Sequence, residues 1–134
     1  MSWSMFIFRG VAAHAHDNEQ NTFMALAAMF IEVHPVHRES AFLREWQATW
    51  METIGNQGNG VSDLSQDAHL TDDARITEFR RFLADYRTWV RATAPSAQWI
   101  SGFTADRLAE FPDIIEAVLD RDHSHPRVEP LNPR

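Results

Sequence analysis

The chain contains neither cysteine nor lysine. The first absence removes disulfides, thiolate nucleophiles, iron–sulfur clusters and cysteine-ligated zinc, and is compatible with a reducing compartment. The second removes a phosphate-loop lysine, Schiff-base chemistry and a lysine base, because all twelve basic residues are arginine. A nucleotide-composition bias of the genome is its simplest cause. Glycine is scarce, at five residues, and three of the five fall in Gly55-Asn-Gln-Gly-Asn-Gly60. The longest apolar run, Phe23 to Ile31, has nine residues, far below the ~20 of a membrane helix. The run Met5-Phe6-Ile7-Phe8 is short for a secretory signal and follows no basic residue. No membrane association and a cytoplasmic location are therefore expected.

Catalytic motifs are equally sparse. There is no Gly-x-Ser-x-Gly, no His-Glu-x-x-His and no Glu-x-x-His. The glycine cluster lacks the lysine and hydroxyl residue of a phosphate loop. Asp63-x-Ser65-x-Asp67 has the opening spacing of a calcium loop, but Ala68 stands where glycine is needed and Ala74 where a bidentate glutamate is needed. These gaps lean against an enzyme.

What the chain does have is a packed core, acidity and paired histidines. Its 134 residues are 44% hydrophobic, with nine Phe and five Trp, which suits one globular domain. Nineteen acids against twelve arginines give a formal charge of −7. Such a surface repels nucleic acid and suits a basic protein partner.

Apolar spacing predicts mostly helix. Trp3 to Phe8 reads as a short strand or extended arm closed by Gly10. A helix is expected from Asp17, with Gln20 completing a capping box, through Phe23, Leu26, Phe30 and Val33. It is apolar nearly all round, which places it at the centre of a bundle. Pro35 either breaks the chain or begins a second helix carrying Phe42, Leu43, Trp46, Trp50 and Ile54. A long loop runs from Gly55 to His69. Thr71 is expected to cap the clearest helix, with Ile76, Phe79, Phe82, Leu83, Tyr86, Trp89 and Val90 on one face. After a turn around Trp99, Thr104 caps a last helical region that Pro112 divides into two collinear segments. The expected fold is mainly α: a single-domain bundle of four to five helices over residues 1–122, with a possible N-terminal strand and α+β as the alternative. Residues 123–134, with three prolines, form an extended tail.

Six of the seven histidines are paired: His14 with His16, His34 with His37, and His123 with His125. Imidazole is the commonest metal ligand, so all six are candidate ligands for zinc or nickel. Asp17, Glu32, Asp120 and Asp122 are the carboxylates nearest in sequence. Their common alternative role is to satisfy backbone groups at helix ends. Arg80, Arg87 and Arg91 share one edge of the third long helix and suit either an acidic partner or neighbouring acids.

The expected function is that of a small acidic interaction module with no obligatory cofactor, neutralising another protein as bacterial immunity and antitoxin proteins do. Its contact face would comprise Glu39, Glu45 and Glu52, or Asp63 and Asp67, together with Arg80, Arg87 and Arg91. A homodimer is compatible with this reading. The alternative is a helical metalloprotein or small-molecule binder with a pocket drawn from Trp46, Trp50, Trp89 and Trp99.

Protonating all seven histidines would take the formal charge from −7 to zero. Static light scattering is therefore expected to rise between about pH 7 and pH 5, where unperturbed imidazole titrates. A flat trace refutes this expectation.

Overall fold

The computed structural model describes residues 3–56, 64–93 and 104–131. Among them, four α-helices pack against a small four-stranded sheet, so the fold is mainly α with some β and is not a pure bundle. The order is β1 (Trp3–Phe8), β2 (Val11–His16), α1 (Asp17–Val33), a 3-10 turn (His37–Glu39), α2 (Ala41–Asn56), β3 (Leu64–Ser65), α3 (Asp73–Ala92), α4 (Ala105–Leu119) and β4 (Val128–Pro130).

β1 and β2 form a hairpin whose two-residue turn has positive φ at both Arg9 (48°) and Gly10 (79°). That is the turn sense which matches strand twist. A Cβ on Gly10 would meet nothing within 4 Å, so backbone conformation, not space, selects glycine there. Arg9 is held in its unusual conformation from both sides. Its N–H donates to Asp67 Oδ1 (2.8 Å), and its carbonyl accepts from Arg121 (2.9 Å).

β3 adds to β1 in parallel, pairing Leu64 with Phe6, and β4 adds to β2 antiparallel, pairing Val128 with Ala13. The sheet order is β3-β1-β2-β4. Strand alternation sends Phe6, Phe8, Val11, Ala13, Ala15, Leu64 and Val128 into the core. The expected extended tail is thus extended over residues 128–130, but as a paired edge strand.

The helices follow the expected apolar faces, with three corrections at their ends and one inside α4. His16, not Asp17, occupies the N-cap of α1 and makes no side-chain cap bond, so there is no capping box. α2 begins at Ala41, well beyond Pro35. Ser40 Oγ accepts from Leu43 N–H at 3.1 Å, which ties off a free donor of its first turn. Asp72, not Thr71, caps α3, accepting from Arg75 N–H at 2.9 Å. Thr104 caps α4 as expected, but that helix runs unbroken through buried Pro112. Proline there forgoes the backbone bond to the residue four back, and its ring crowds that residue's carbonyl.

An aromatic cluster fills the space between the helices. Phe23 lies 5.2 Å from Tyr86 and 4.9 Å from Phe111, and Trp46 lies 5.4 Å from Phe79, centroid to centroid. These are tilted or edge-on contacts, which suit ring quadrupoles. Trp46 is fully buried and its indole N–H donates to Gln66 Oε1 at 2.9 Å, anchoring α2 to the end of β3. Gln66 in turn donates to the Leu64 carbonyl. Buried Glu19 on α1 accepts from Arg107 of α4 (2.9 Å) and Arg127 before β4 (2.8 Å), so one carboxylate ties three parts of the chain together. Arg80 pairs with Glu116 and Asp120, and Arg87 with Asp113, clamping α3 to α4. Burial raises the Glu116 pKa against the lowering effect of Arg80.

Two measurements check this core. Gln66→Ala strands the buried Trp46 N–H and is expected to cost about 2 kcal/mol, read as a lower urea midpoint; an unchanged midpoint would refute it. His69 is buried against Trp50 (5.5 Å between rings). Burial lowers its pKa below 6.5, nearby Arg75 lowers it further, and Glu45 opposes them. The unfolded chain therefore binds more protons. His69 contributes stability above about pH 6.5 that is lost as the pH falls through its folded pKa. Urea unfolding at pH 7.5 and 5.5 should show a smaller loss of stability in His69→Gln than in the parent.

Candidate functional site

α1 is apolar on nearly every side, yet the domain does not enclose it. Phe23, Ala27, Phe30 and Ile31 face the core, while Ala25, Met29, Glu32 and Val33 are exposed. This corrects the expectation of a helix at the centre of a bundle. The exposed large hydrophobics among the described residues are Met29 (50% exposed), Val33 (58%), Val36 (66%) and Met51 (41%). All four lie in the single stretch α1–turn–α2. Met29 and Val33 are one helical turn apart and so are neighbours on one face.

α2 packs beside this face. Gln47 Nε2 donates to the Ala28 carbonyl at 2.9 Å, and Arg44 pairs with Glu32 at 2.6 Å. Those bonds to Glu32 lower its carboxyl pKa and keep it charged. Between the helices runs an open groove of about 600 Å³, walled mainly by Ala25, Ala28 and Met29 from α1 and by Ala48 and Met51 from α2. Small alanines make its floor and two flexible methionines its rims. Thioether side chains repack readily against varied partners.

The expected contact residues fall as follows. Glu45 and Glu52 are exposed on α2, each about one turn from Ala48, and Glu52 directly follows Met51. Glu45 also lies 3.8 Å from Arg75 and 4.0 Å from His69. Glu39 is exposed at the end of the 3-10 turn. Asp67 is exposed but engaged by the Arg9 backbone, and Asp63 lies outside the described residues. Arg80 and Arg87 are committed to α4, whereas Arg91 is exposed near the end of α3. The acids and arginines therefore do not form one surface. Residues 29–52 carry four glutamates against two arginines, which leaves the groove side acidic.

The histidines separate into three places. His14 and His16 lie on the side of β2 opposite the core-facing alanines, with His14 Nδ1 3.4 Å from Glu129. His123 and His125 occupy the turn after α4, and His125 Nδ1 accepts from Arg127 N–H at 3.1 Å. His34 and His37 stack with ring centroids 4.2 Å apart. Nδ1 of His34 accepts from the N–H groups of Val36 (3.2 Å) and His37 (3.1 Å), while His37 Nε2 meets Asp85 Oδ2 of α3 at 2.7 Å. Burial and the neighbouring imidazole lower the His34 pKa, with Asp85 opposing them. With His69 also lowered, not all seven histidines share the unperturbed titration window. The carboxylate beside this pair is 48 residues distant in sequence, and none of the four acids nearest in sequence takes that place.

Among the described residues, no tryptophan walls either of the two open grooves. Trp46 and Trp50 are buried in the core, Trp89 packs partly buried against it, and Trp99 lies outside the described residues. The Tyr86 hydroxyl is buried without a hydrogen-bond partner among the described residues, and burial pushes its pKa well up. It is no candidate for proton transfer at neutral pH. Comparison with protein-family models, curated proteins and solved structures gives no match.

Proposed function

We propose that this domain is a protein-interaction module that docks a basic amphipathic helix of its partner into the α1–α2 groove, neutralising that partner in the manner of an immunity or antitoxin protein. The observation that carries the reading is the exposure of Met29 and Met51 on opposite walls of one groove, with Val33 a helical turn from Met29, in an otherwise well-packed domain. Exposed apolar residues scattered singly need no explanation, but a contiguous strip beside a groove suits a partner. An apolar helix face in such a groove is a recurring recognition mode. Glu32 lines the groove, Glu52 follows Met51, and the chain as a whole carries a formal charge of −7, so cationic residues beside the partner's apolar stripe would speed encounter and fix orientation. Among the described residues no helix is long and apolar enough to cross a membrane, and a cytoplasmic setting belongs to the same proposal.

The test uses a synthetic 18-residue helix with leucine at i, i+3, i+4 and i+7 and lysine elsewhere, followed by fluorescence anisotropy at physiological salt. Saturable binding is expected. It should weaken at least about tenfold in Met29→Glu/Met51→Glu, the scale of losing apolar anchors at an interface. Glu52→Arg should mainly slow association at low salt. Equal binding by the double methionine variant, or equal binding of a lysine-matched peptide without the leucine stripe, overturns the proposal. So does a concentration-dependent dimer in sedimentation that the methionine variant abolishes, because the face would then belong to a second copy of the chain.

A further inference from the structure

A second feature stands apart from the docking face, since none of its residues walls the α1–α2 groove. His34, His37 and Asp85 each offer a ligand atom, and the three atoms lie within 4.8 Å of one another. We infer that they form a binding site for a divalent transition-metal ion of the zinc, nickel or cobalt class.

The donor set is the first reason. Two imidazoles and one carboxylate are the protein ligands of open metal sites, where solvent or a bound molecule completes the shell. Hard oxygen-preferring ions such as calcium and magnesium are disfavoured by two nitrogen donors. Geometry is the second. Ligand atoms around a tetrahedral ion at ~2.1 Å stand roughly 3.4 Å apart. His37 Nε2 and Asp85 Oδ2, now 2.7 Å apart, would have to separate slightly as the ion replaces the proton between them. The cluster as a whole needs to draw in by up to about 1.4 Å from its 4.8 Å limit. The stacked His34 and His37 rings must also turn so that their nitrogen lone pairs converge on the ion.

Access is the third. His37 is buried, but it also borders an open groove of about 470 Å³ shared with Asp73, Thr77, Glu78 and Arg81 of α3. Asp85, with 42% of its side chain exposed, and the partly exposed His34 give an ion a route in from solvent. One feature limits affinity. The His34 ring already serves two backbone N–H groups through Nδ1. A metal on that nitrogen displaces them, and a metal on Nε2 moves the ring proton onto Nδ1, against the same donors. Loading therefore disturbs two backbone bonds, and micromolar rather than nanomolar binding is expected.

Cobalt(II) titration of the full chain, followed by visible d–d absorption, tests the site, with zinc calorimetry in parallel. One saturable equivalent is expected. Asp85→Asn can still accept a hydrogen bond from His37, so it preserves the fold, verified by circular dichroism, while weakening binding at least about tenfold. Asp85→Asn/His34→Gln should abolish the band. The control His14→Gln/His125→Gln should bind as the parent does. Absence of a band and of saturable heat overturns the inference. So does a band that survives in Asp85→Asn/His34→Gln or disappears in the control, since the ion would then sit on other histidines. None of these outcomes bears on peptide binding at the α1–α2 groove.

Discussion

A seventeen-residue helix that is apolar on nearly all sides cannot be satisfied by any single neighbour, and the rest of the structure follows from covering it. The sheet meets α1 through β2 and β1, and Ala13 and Ala15 of β2 are buried in the same core. Phe23 and Phe30 reach the opposite way, into a cluster with Trp46, Phe82, Tyr86, Trp89 and Phe111. Charge reinforces the arrangement only at its margins. Glu19, buried near the start of α1, holds Arg107 and Arg127, so the same helix that organises the core also fixes α4 and the approach to β4. Removing one partner from such a buried arrangement leaves charge uncompensated. Its main effect is therefore to specify which segments meet.

Coverage stops at the stripe running through Ala25, Met29 and Val33. α2 lies along one margin of that stripe without closing it, held by Gln47 to the Ala28 carbonyl and by Arg44 to Glu32. Those bonds fix the spacing of the two helices and therefore the groove between them. Apolar residues on an outer helix face contribute little to a monomer's stability, because they stay in water when the chain folds. Their energetic value is realised only when another surface removes them from water. The acidic surroundings then select which surface arrives first.

The helical half of this fold was legible in the sequence because its periodicity is strong. The stripe from Phe79 to Val90 on α3 and the run from Phe42 to Trp50 on α2 fall on buried faces as their spacing demands. β1 was legible as the aromatic-rich run Trp3 to Phe8, but the other three strands were not, for separate reasons. β2 reads Val-Ala-Ala-His-Ala-His, and alanine gives no strand signal even though Ala13 and Ala15 face the core. β3 has two residues and β4 has three, too few to show a period of two. The hairpin turn is Arg-Gly, where Asn-Gly or Asp-Gly is the usual sign. For the outer face, the all-round apolar character of α1 was visible, but whether other elements would cover it depends on tertiary packing. Asp85 could not be joined to His34 and His37 by spacing at all, because α3 brings it across 48 residues.

The paired histidines of the sequence prove to be junction residues, and two of them share one local device. In His34-Pro35-Val36 and His125-Pro126-Arg127, the imidazole Nδ1 accepts the N–H of the residue just after proline. Proline has no N–H of its own and pushes the residue before it out of the helical region; His34 accordingly has φ −84° and ψ 127°. The next free donor then lies within reach of a side-chain acceptor two residues back, the relation an Asx-turn uses. An imidazole fills that role through an unprotonated Nδ1, so each corner fixes which ring nitrogen accepts. At the α1–α2 corner the same turn also binds α3 twice, through His37 with Asp85 and through Ser40 with Glu78. Helix end, helix start and inter-helix contact are thus compressed into seven residues, 34–40.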